Sequence, residues 1–194
     1  MNRTDISHPS SFKDGVRVLL LMLRAKDGGS AKTDRKATKK IITRSPAEFD
    51  EALEELRSLW QPDQRIYATI NARSIEKAIR IFKYRQLDAE WFDEVDRHNF
   101  YLDLENRWIS CLKDKSASVG SLFLFDIDND LLDHEQIFDD LKMLRLDTEA
   151  LGASAYWYRT RNGWHFISKP FNPKLAPLAA QPLLMKNALM LWSY

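Results

Sequence analysis

The order of strand-like and helix-like segments predicts an α/β (α+β) fold, a mixed sheet flanked by helices, and three observations carry that expectation. Short apolar or β-branched runs recur along the chain, amphipathic stretches separate them, and the resulting order is β-α, then β-α-β-β after a helical insertion. With 194 residues, the chain is expected to form one domain with an adequate core, an N-terminal αβ portion over 1–114 and a second portion over 115–194.

The elements follow in order. Phe12 to Ala25 holds a Leu-rich run whose periodicity fits a helix or a buried strand equally well. Residues 26–40 read as a basic loop around Gly28-Gly29-Ser30, with a short strand beginning at Lys39 and closing at Thr43. Ser45-Pro46 has the form of an N-cap followed by proline at the first helical position. The helix it opens carries Phe49, Ala52, Leu53, Leu56, Leu59 and Trp60 on one face. Arg65 to Asn71 has strand composition, and Ser74 caps a helix with Ile75, Ala78, Ile79 and Phe82. Leu104, Trp108, Cys111 and Leu112 keep helical spacing before the small-residue turn from Lys113 to Gly120. An apolar strand from Ser121 to Phe125 follows, then a capping-box pair, Asp133 with Gln136, opening a helix with Ile137, Phe138, Leu141 and Leu144. Ala155 to Tyr158 and Trp164 to Ser168 are strand-like and flank an Arg161-Asn162-Gly163 turn.

Charge is balanced in total, 29 basic against 28 acidic residues, but not in distribution. Residues 26–44 hold seven basic and two acidic side chains, residues 126–149 nine acidic and two basic, and nothing after Glu149 is acidic. A site with a metal on one side and phosphate on the other needs such asymmetry, and solvated faces also produce it. The single cysteine, Cys111, excludes an intramolecular disulfide framework and a cysteine-based zinc site, and reads as a small core residue. The early apolar run is too short to span a bilayer and the amino terminus lacks the blocks of a signal peptide, so a cytoplasmic location without membrane contact is expected.

Asp126 and Asp128 stand one residue apart at the end of the run Leu122-Phe123-Leu124-Phe125. Strand alternation puts both on one face, roughly 6–7 Å apart, with Ile127 on the other. They form either a solvated acidic turn, with Asn129 and Asp130 supplying turn hydrogen bonds, or a cradle for Mg²⁺ or Mn²⁺ in which Asp130 joins. Two carboxylates at the end of a central strand repel each other unless a cation compensates. Asp133, Asp139, Asp140 and Glu149 are assigned to capping and to a solvated helix face.

His165 is either a half-buried ring satisfied by a carbonyl or a phosphate ligand. In an extended chain Arg161, Gly163 and His165 share a face, so an arginine fork, bare backbone and an imidazole together can clamp phosphate. Arg159 and Lys169 extend that basic cluster. Tyr156, Trp157, Tyr158 and Trp164 are core or hairpin packing, or a stacking platform for single-stranded nucleic acid.

Taken in order, the apolar strand ending in Asp126-x-Asp128 and then Thr160-Arg161-Asn162-Gly163-Trp164-His165 resemble the catalytic core of archaeo-eukaryotic-type primases and primase-polymerases. The resemblance covers roughly residues 121–171. It implies an RRM-like unit in which Asp126 and Asp128 bind a divalent metal and His165 contacts the phosphates of an incoming nucleoside triphosphate, with Arg161 as a helper. That family carries a third carboxylate on a later strand, where this chain has none. Asp130 or Asp63 then substitutes, or one metal suffices, or polymerase activity is lost. The overall look of a small free-standing chain closing on Lys186-Asn187-Ala188-Leu189-Met190-Leu191-Trp192 is similar to that of tailed-phage proteins.

Two other families with Asp-x-Asp fit less well. Haloacid-dehalogenase-type phosphatases need Thr or Val where Asp130 stands, and more than the 66 residues that follow Asp128. Polymerase-beta-like nucleotidyltransferases need a helical turn between Gly-Ser and Asp-x-Asp, and only four residues separate Ser121 from Asp126. The expected function is divalent-metal-dependent nucleotidyl or phosphoryl transfer on nucleotides or nucleic acid. The alternatives are a non-catalytic module that binds single-stranded nucleic acid or a host protein, and a metal-dependent nuclease.

Overall fold

A computed structural model describes residues 15–24, 35–92, 94–120, 122–128, 136–137, 139–141, 155–160, 163–176, 180–186 and 189–193. Its elements run β1 (Arg17–Arg24), β2 (Arg35–Thr43), α1 (Pro46–Ser58), β3 (Gln64–Thr69), α2 (Ile75–Phe92), α3 (Glu94–Leu102), α4 (Leu104–Lys113), β4 (Phe123–Asp128), β5 (Ala155–Arg159), β6 (Gly163–Ser168), β7 (Leu184–Lys186) and β8 (Leu189–Ser193). The fold is α+β, with two four-stranded sheets ordered β2-β1-β3-β8 and β5-β6-β4-β7.

The expected mixed sheet is replaced by two sheets in which every described pairing is antiparallel. The reason lies in the crossovers. β2 and β3 run parallel but β1 sits between them, and β4 and β5 run parallel with β6 between them. Each crossover therefore skips one strand, and parallel neighbours never form.

The Leu-rich run is a strand. Leu19 and Leu21 face one core, while Val18, Leu20 and Met22 face another, so a strand covered on both sides loses its alternation of polar and apolar residues. β2 starts at Arg35, earlier than composition suggested, because β1 pairs along its whole length with this polar partner. Its lysines reach acids on both sides: Lys39 lies 3.0 Å from Glu55 of α1, and Lys40 lies 3.7 Å from Glu105 and bonds Asn106 of α4. Residues 26–34 of the basic loop lie outside the described residues.

Helix α1 begins where the cap signal placed it. The Ser45 Oγ accepts from the Glu48 N–H at 3.2 Å, Glu48 reaches back to the Arg44 N–H at 2.7 Å, and Phe49, Ala52, Leu53 and Leu56 are buried. The helix ends at Ser58, so Leu59 and Trp60 leave the expected face and are exposed, the Trp60 indole donating to the Gln64 carbonyl at 2.8 Å. Helix α2 buries Ala78 with Ile81 and Phe82 partly covered, and leaves Ile75 and Ile79 exposed, a buried face rotated from the expected one. Its cap is the expected one, since Ser74 Oγ accepts from the Lys77 N–H. In α4, Cys111 and Leu112 are buried as expected and Leu104 is exposed. Burial pushes the Cys111 thiol up, which suits an inert core residue.

Three cores result. The first joins the sheets: Leu19, Leu21, Ile66, Ala68 and Ile70 meet α1 together with Leu124 of β4 and Ile167 of β6. The second packs the far side of β1 and β3 on α2 and α4. The third packs Phe125, Ile127 and Phe166 against the helical residues Ile137 and Leu141, with Asp139 exposed and Asp140 half-buried on their outward side. Asp133, Phe138, Leu144 and Glu149 lie outside the described residues. Among the described residues, no helix is long and apolar enough to cross a membrane.

Candidate metal and phosphate site

Strand β4 alternates cleanly. Phe125 and Ile127 point into the third core and Leu124 into the first, which leaves Asp126 and Asp128 on the Leu124 side, beyond the end of the shared core. Strand β6 pairs with it in the register Leu124↔Ile167, Asp126↔His165 and Asp128↔Gly163. Directly opposed residues share a face. His165 is 3% exposed, and its Nε2 lies 2.9 Å from Asp126 Oδ1. The two atoms stand at hydrogen-bonding distance, the geometry of an Nε2–H donating to a carboxylate. Asp126 is half-buried and Asp128 exposed, so one carboxylate is held from behind and the other meets solvent.

Gly163 serves this pairing rather than an open approach. A Cβ built there lies 1.9 Å from the Ile127 carbonyl oxygen and 2.9 Å from the Asp128 Cα. The absent side chain is what lets β6 close on β4, and the space expected for phosphate is filled by strand on that side. The Thr160 N–H donates to the Gly163 carbonyl at 2.9 Å, joining the end of β5 to the start of β6. Arg161 and Asp130 lie outside the described residues.

The rest of the basic cluster diverges. Arg159 pairs in register with Trp164, on the face opposite His165, and its guanidinium sits 5.9 Å from the centre of the indole. Trp164 is half-buried against the third core, which is the packing role expected of most of these rings. Lys169 is exposed just past the far end of β6, four residues or roughly 13 Å from His165. The structure thus unites Asp126, Asp128, Gly163 and His165, and sets Arg159 and Lys169 elsewhere.

What fixes β4 in place escaped the sequence. The Asn71 amide clamps the backbone of Leu122: its Oδ1 accepts from the Leu122 N–H at 2.8 Å and its Nδ2 donates to the Leu122 carbonyl at 3.1 Å. Val119 N–H donates to the Ala72 carbonyl at 3.0 Å, and a Cβ on Gly120 would lie 2.5 Å from Asn71 Oδ1. The only sequence signal was a polar residue closing a strand-like run. Nearby, the buried Arg17 donates through Nη1 to the carbonyls of Thr69 and Ile70 at 2.6 and 3.0 Å. Burial, then neighbouring Arg73, brings its guanidinium down to about 10, and Arg73 is likewise brought down to about 10 by burial, against the opposing pull of Asp114. Both remain charged at neutral pH.

Two exposed-side carboxylates one strand step apart are hard oxygen donors. Among the described residues, no three His, Cys, Asp or Glu side chains converge to hold a metal ion. Two carboxylates alone could hold a cation only as part of a shell completed by other oxygen donors, not as a cage made wholly of protein. The chain matches no protein-family model, and neither curated proteins nor solved structures show a significant similarity to it.

Proposed function

We propose that the exposed end of the β4–β6 pair binds a divalent cation with nucleoside triphosphate or nucleic-acid phosphate, and carries nucleotidyl or phosphoryl transfer of the primase-polymerase kind. One observation carries the reading: the imidazole that follows Gly163 by two residues stands directly opposite Asp126, on the face it shares with Asp128. The resemblance required that convergence of two segments almost 40 residues apart in sequence. The topology of the second sheet also supports an RRM-like unit, since helical residues 136–137 and 139–141 lie in sequence between the parallel strands β4 and β5, and β6 is inserted between those strands in the sheet, a split β-α-β order.

In this reading Asp126 and Asp128 hold Mg²⁺ or Mn²⁺, which when bound polarises a phosphoryl oxygen as a Lewis acid. His165 holds the Asp126 carboxylate by its Nε2–H, fixing which lone pairs face outward. Asp128, the exposed one of the pair, would supply its carboxylate from the solvent side.

Thermal unfolding with Mn²⁺ and a nucleoside triphosphate tests the site. At a concentration 100 times Kd, binding stabilises the fold by about 2.7 kcal/mol. For a chain of this size that raises Tm by roughly 5–11 °C. Asp126→Asn with Asp128→Asn should abolish the shift, and His165→Ala should remove nucleotide incorporation or cleavage from a folded protein. Single-strand binding that weakens steeply with salt and survives the aspartate changes, with no Mn²⁺ response, would replace this reading by the non-catalytic binding module.

A further inference from the structure

Helix α2 presents two apolar faces, and the chain uses one. Ala78, Ile81 and Phe82 pack on the second core. On the opposite side Tyr84, Leu87 and Trp91 are 72%, 58% and 84% exposed, so no described part of the chain covers them. Their spacing of three and then four residues makes a continuous seam, the a, d, a pattern of a helix that packs on another helix.

Charge runs along α2 with a direction. Lys77, Arg80 and Lys83 outnumber Glu76, which pairs with Arg80, in its first half, and Asp88 and Glu90 outnumber Arg85 in its second, where Glu90 also accepts from Gln86 and Tyr101. A parallel copy would set like charges together, whereas an antiparallel copy sets each half against its opposite. We infer that this face joins a second copy of the chain through an antiparallel, two-fold α2–α2 contact. In that arrangement Tyr84 packs on Leu87 of the partner subunit, Arg80 lies over the ring of Trp91 of the partner subunit, and Lys83 flanks Glu90 of the partner subunit.

The size suits a reversible dimer. Two aromatic side chains at about 150–250 Å² each, with a leucine, bring roughly 400–500 Å² per subunit. The flanking charged residues carry that toward the roughly 800 Å² per partner of a specific interface. The seam lies on α2, away from β4 and β6, so the dimer stands or falls independently of the phosphate reading.

Sedimentation equilibrium of the full chain over roughly 1–300 μM tests it, with circular dichroism as the check on folding. The wild type should pass from monomer to dimer within that range, with a Kd that rises with salt. Leu87→Glu should raise Kd at least about tenfold, as expected at the centre of an interface. Lys83→Glu should weaken association, and adding Glu90→Lys to it should restore association. A wild type that stays monomeric throughout, or a dimer indifferent to Leu87→Glu and Lys83→Glu, overturns the proposal and leaves the seam to a different protein or to single-stranded nucleic acid.

Discussion

Replacing Gly163 by alanine probes the strand contact on which the site is built. The added Cβ would sit 1.9 Å from the Ile127 carbonyl oxygen and 2.9 Å from both the Ile127 carbonyl carbon and the Asp128 Cα, all backbone atoms. Ordinary contact begins near 3.4 Å, so β6 must retreat from β4 by about 1.5 Å at that point, the difference between 3.4 and 1.9 Å. No flexible side-chain tip is available to yield. Overpacking of this kind costs about 1–3 kcal/mol, and contact with backbone on the partner strand places the change at the upper end. For a chain of this length, about 3 kcal/mol lowers Tm by roughly 6–12 °C. Because Asp128 and Gly163 are register partners and Asp126 and His165 the next pair on the same face, the same displacement lengthens the 2.9 Å contact between His165 and Asp126. Urea and thermal unfolding of Gly163→Ala give the stability, and the Mn²⁺-induced change in Tm gives the site. A variant within 2 °C of wild type would refute the reasoning, since it would mean that β6 does not close on β4 as described.

Two further changes test the supports of the site. Asn71→Ala removes both hydrogen bonds to the Leu122 backbone and should cost about 2–4 kcal/mol in urea unfolding, because a part-buried N–H and C=O each lose their side-chain partner. Asp114→Asn should cost about 1–2 kcal/mol at pH 7. The Ser116 hydroxyl, then the Ser116 N–H, hold the Asp114 carboxyl below the usual carboxylate range, with Arg85 2.9 Å away adding to them. A lowered folded-state value stabilises above the unfolded carboxylate range and loses that effect as pH falls through the folded value. The gap between wild type and Asp114→Asn should therefore be full at pH 7 and close as pH falls below the ordinary carboxylate range, as followed by thermal unfolding across pH.

Some of the structure was legible because it is written in local chemistry. Ser45-Pro46 and the spacing of Phe49, Ala52, Leu53 and Leu56 located α1, the strand-like runs from Ala155 and from Trp164 located β5 and β6, and alternation put Asp126 and Asp128 on one face. What remained hidden was set by distant pairing. The run Arg35 to Lys40 is polar and became strand because apolar β1 pairs with it and because Glu55 and Glu105 wait on either side. Strands β7 and β8 are short apolar segments of ambiguous period, and their assignment to different sheets depends on which partner edge is free. Side-chain direction decided the basic cluster in the same way. Arg159 and His165 are near neighbours in sequence, yet one lies on each face of the hairpin, and Gly163 gives its missing side chain to β4. Asn71 could not be read as a clamp until the loop it holds was seen beside it.

Anomalous scattering from crystals grown with Mn²⁺ and a non-hydrolysable nucleoside triphosphate is the most direct measurement of the cation-and-phosphate reading. We expect a peak at about 2.0–2.2 Å from oxygens of Asp126 and Asp128, with His165 Nε2 still bonded to Asp126 and triphosphate oxygens completing the shell. A peak lodged elsewhere, or none at saturating Mn²⁺ while the aspartates stay fully hydrated, would contradict it.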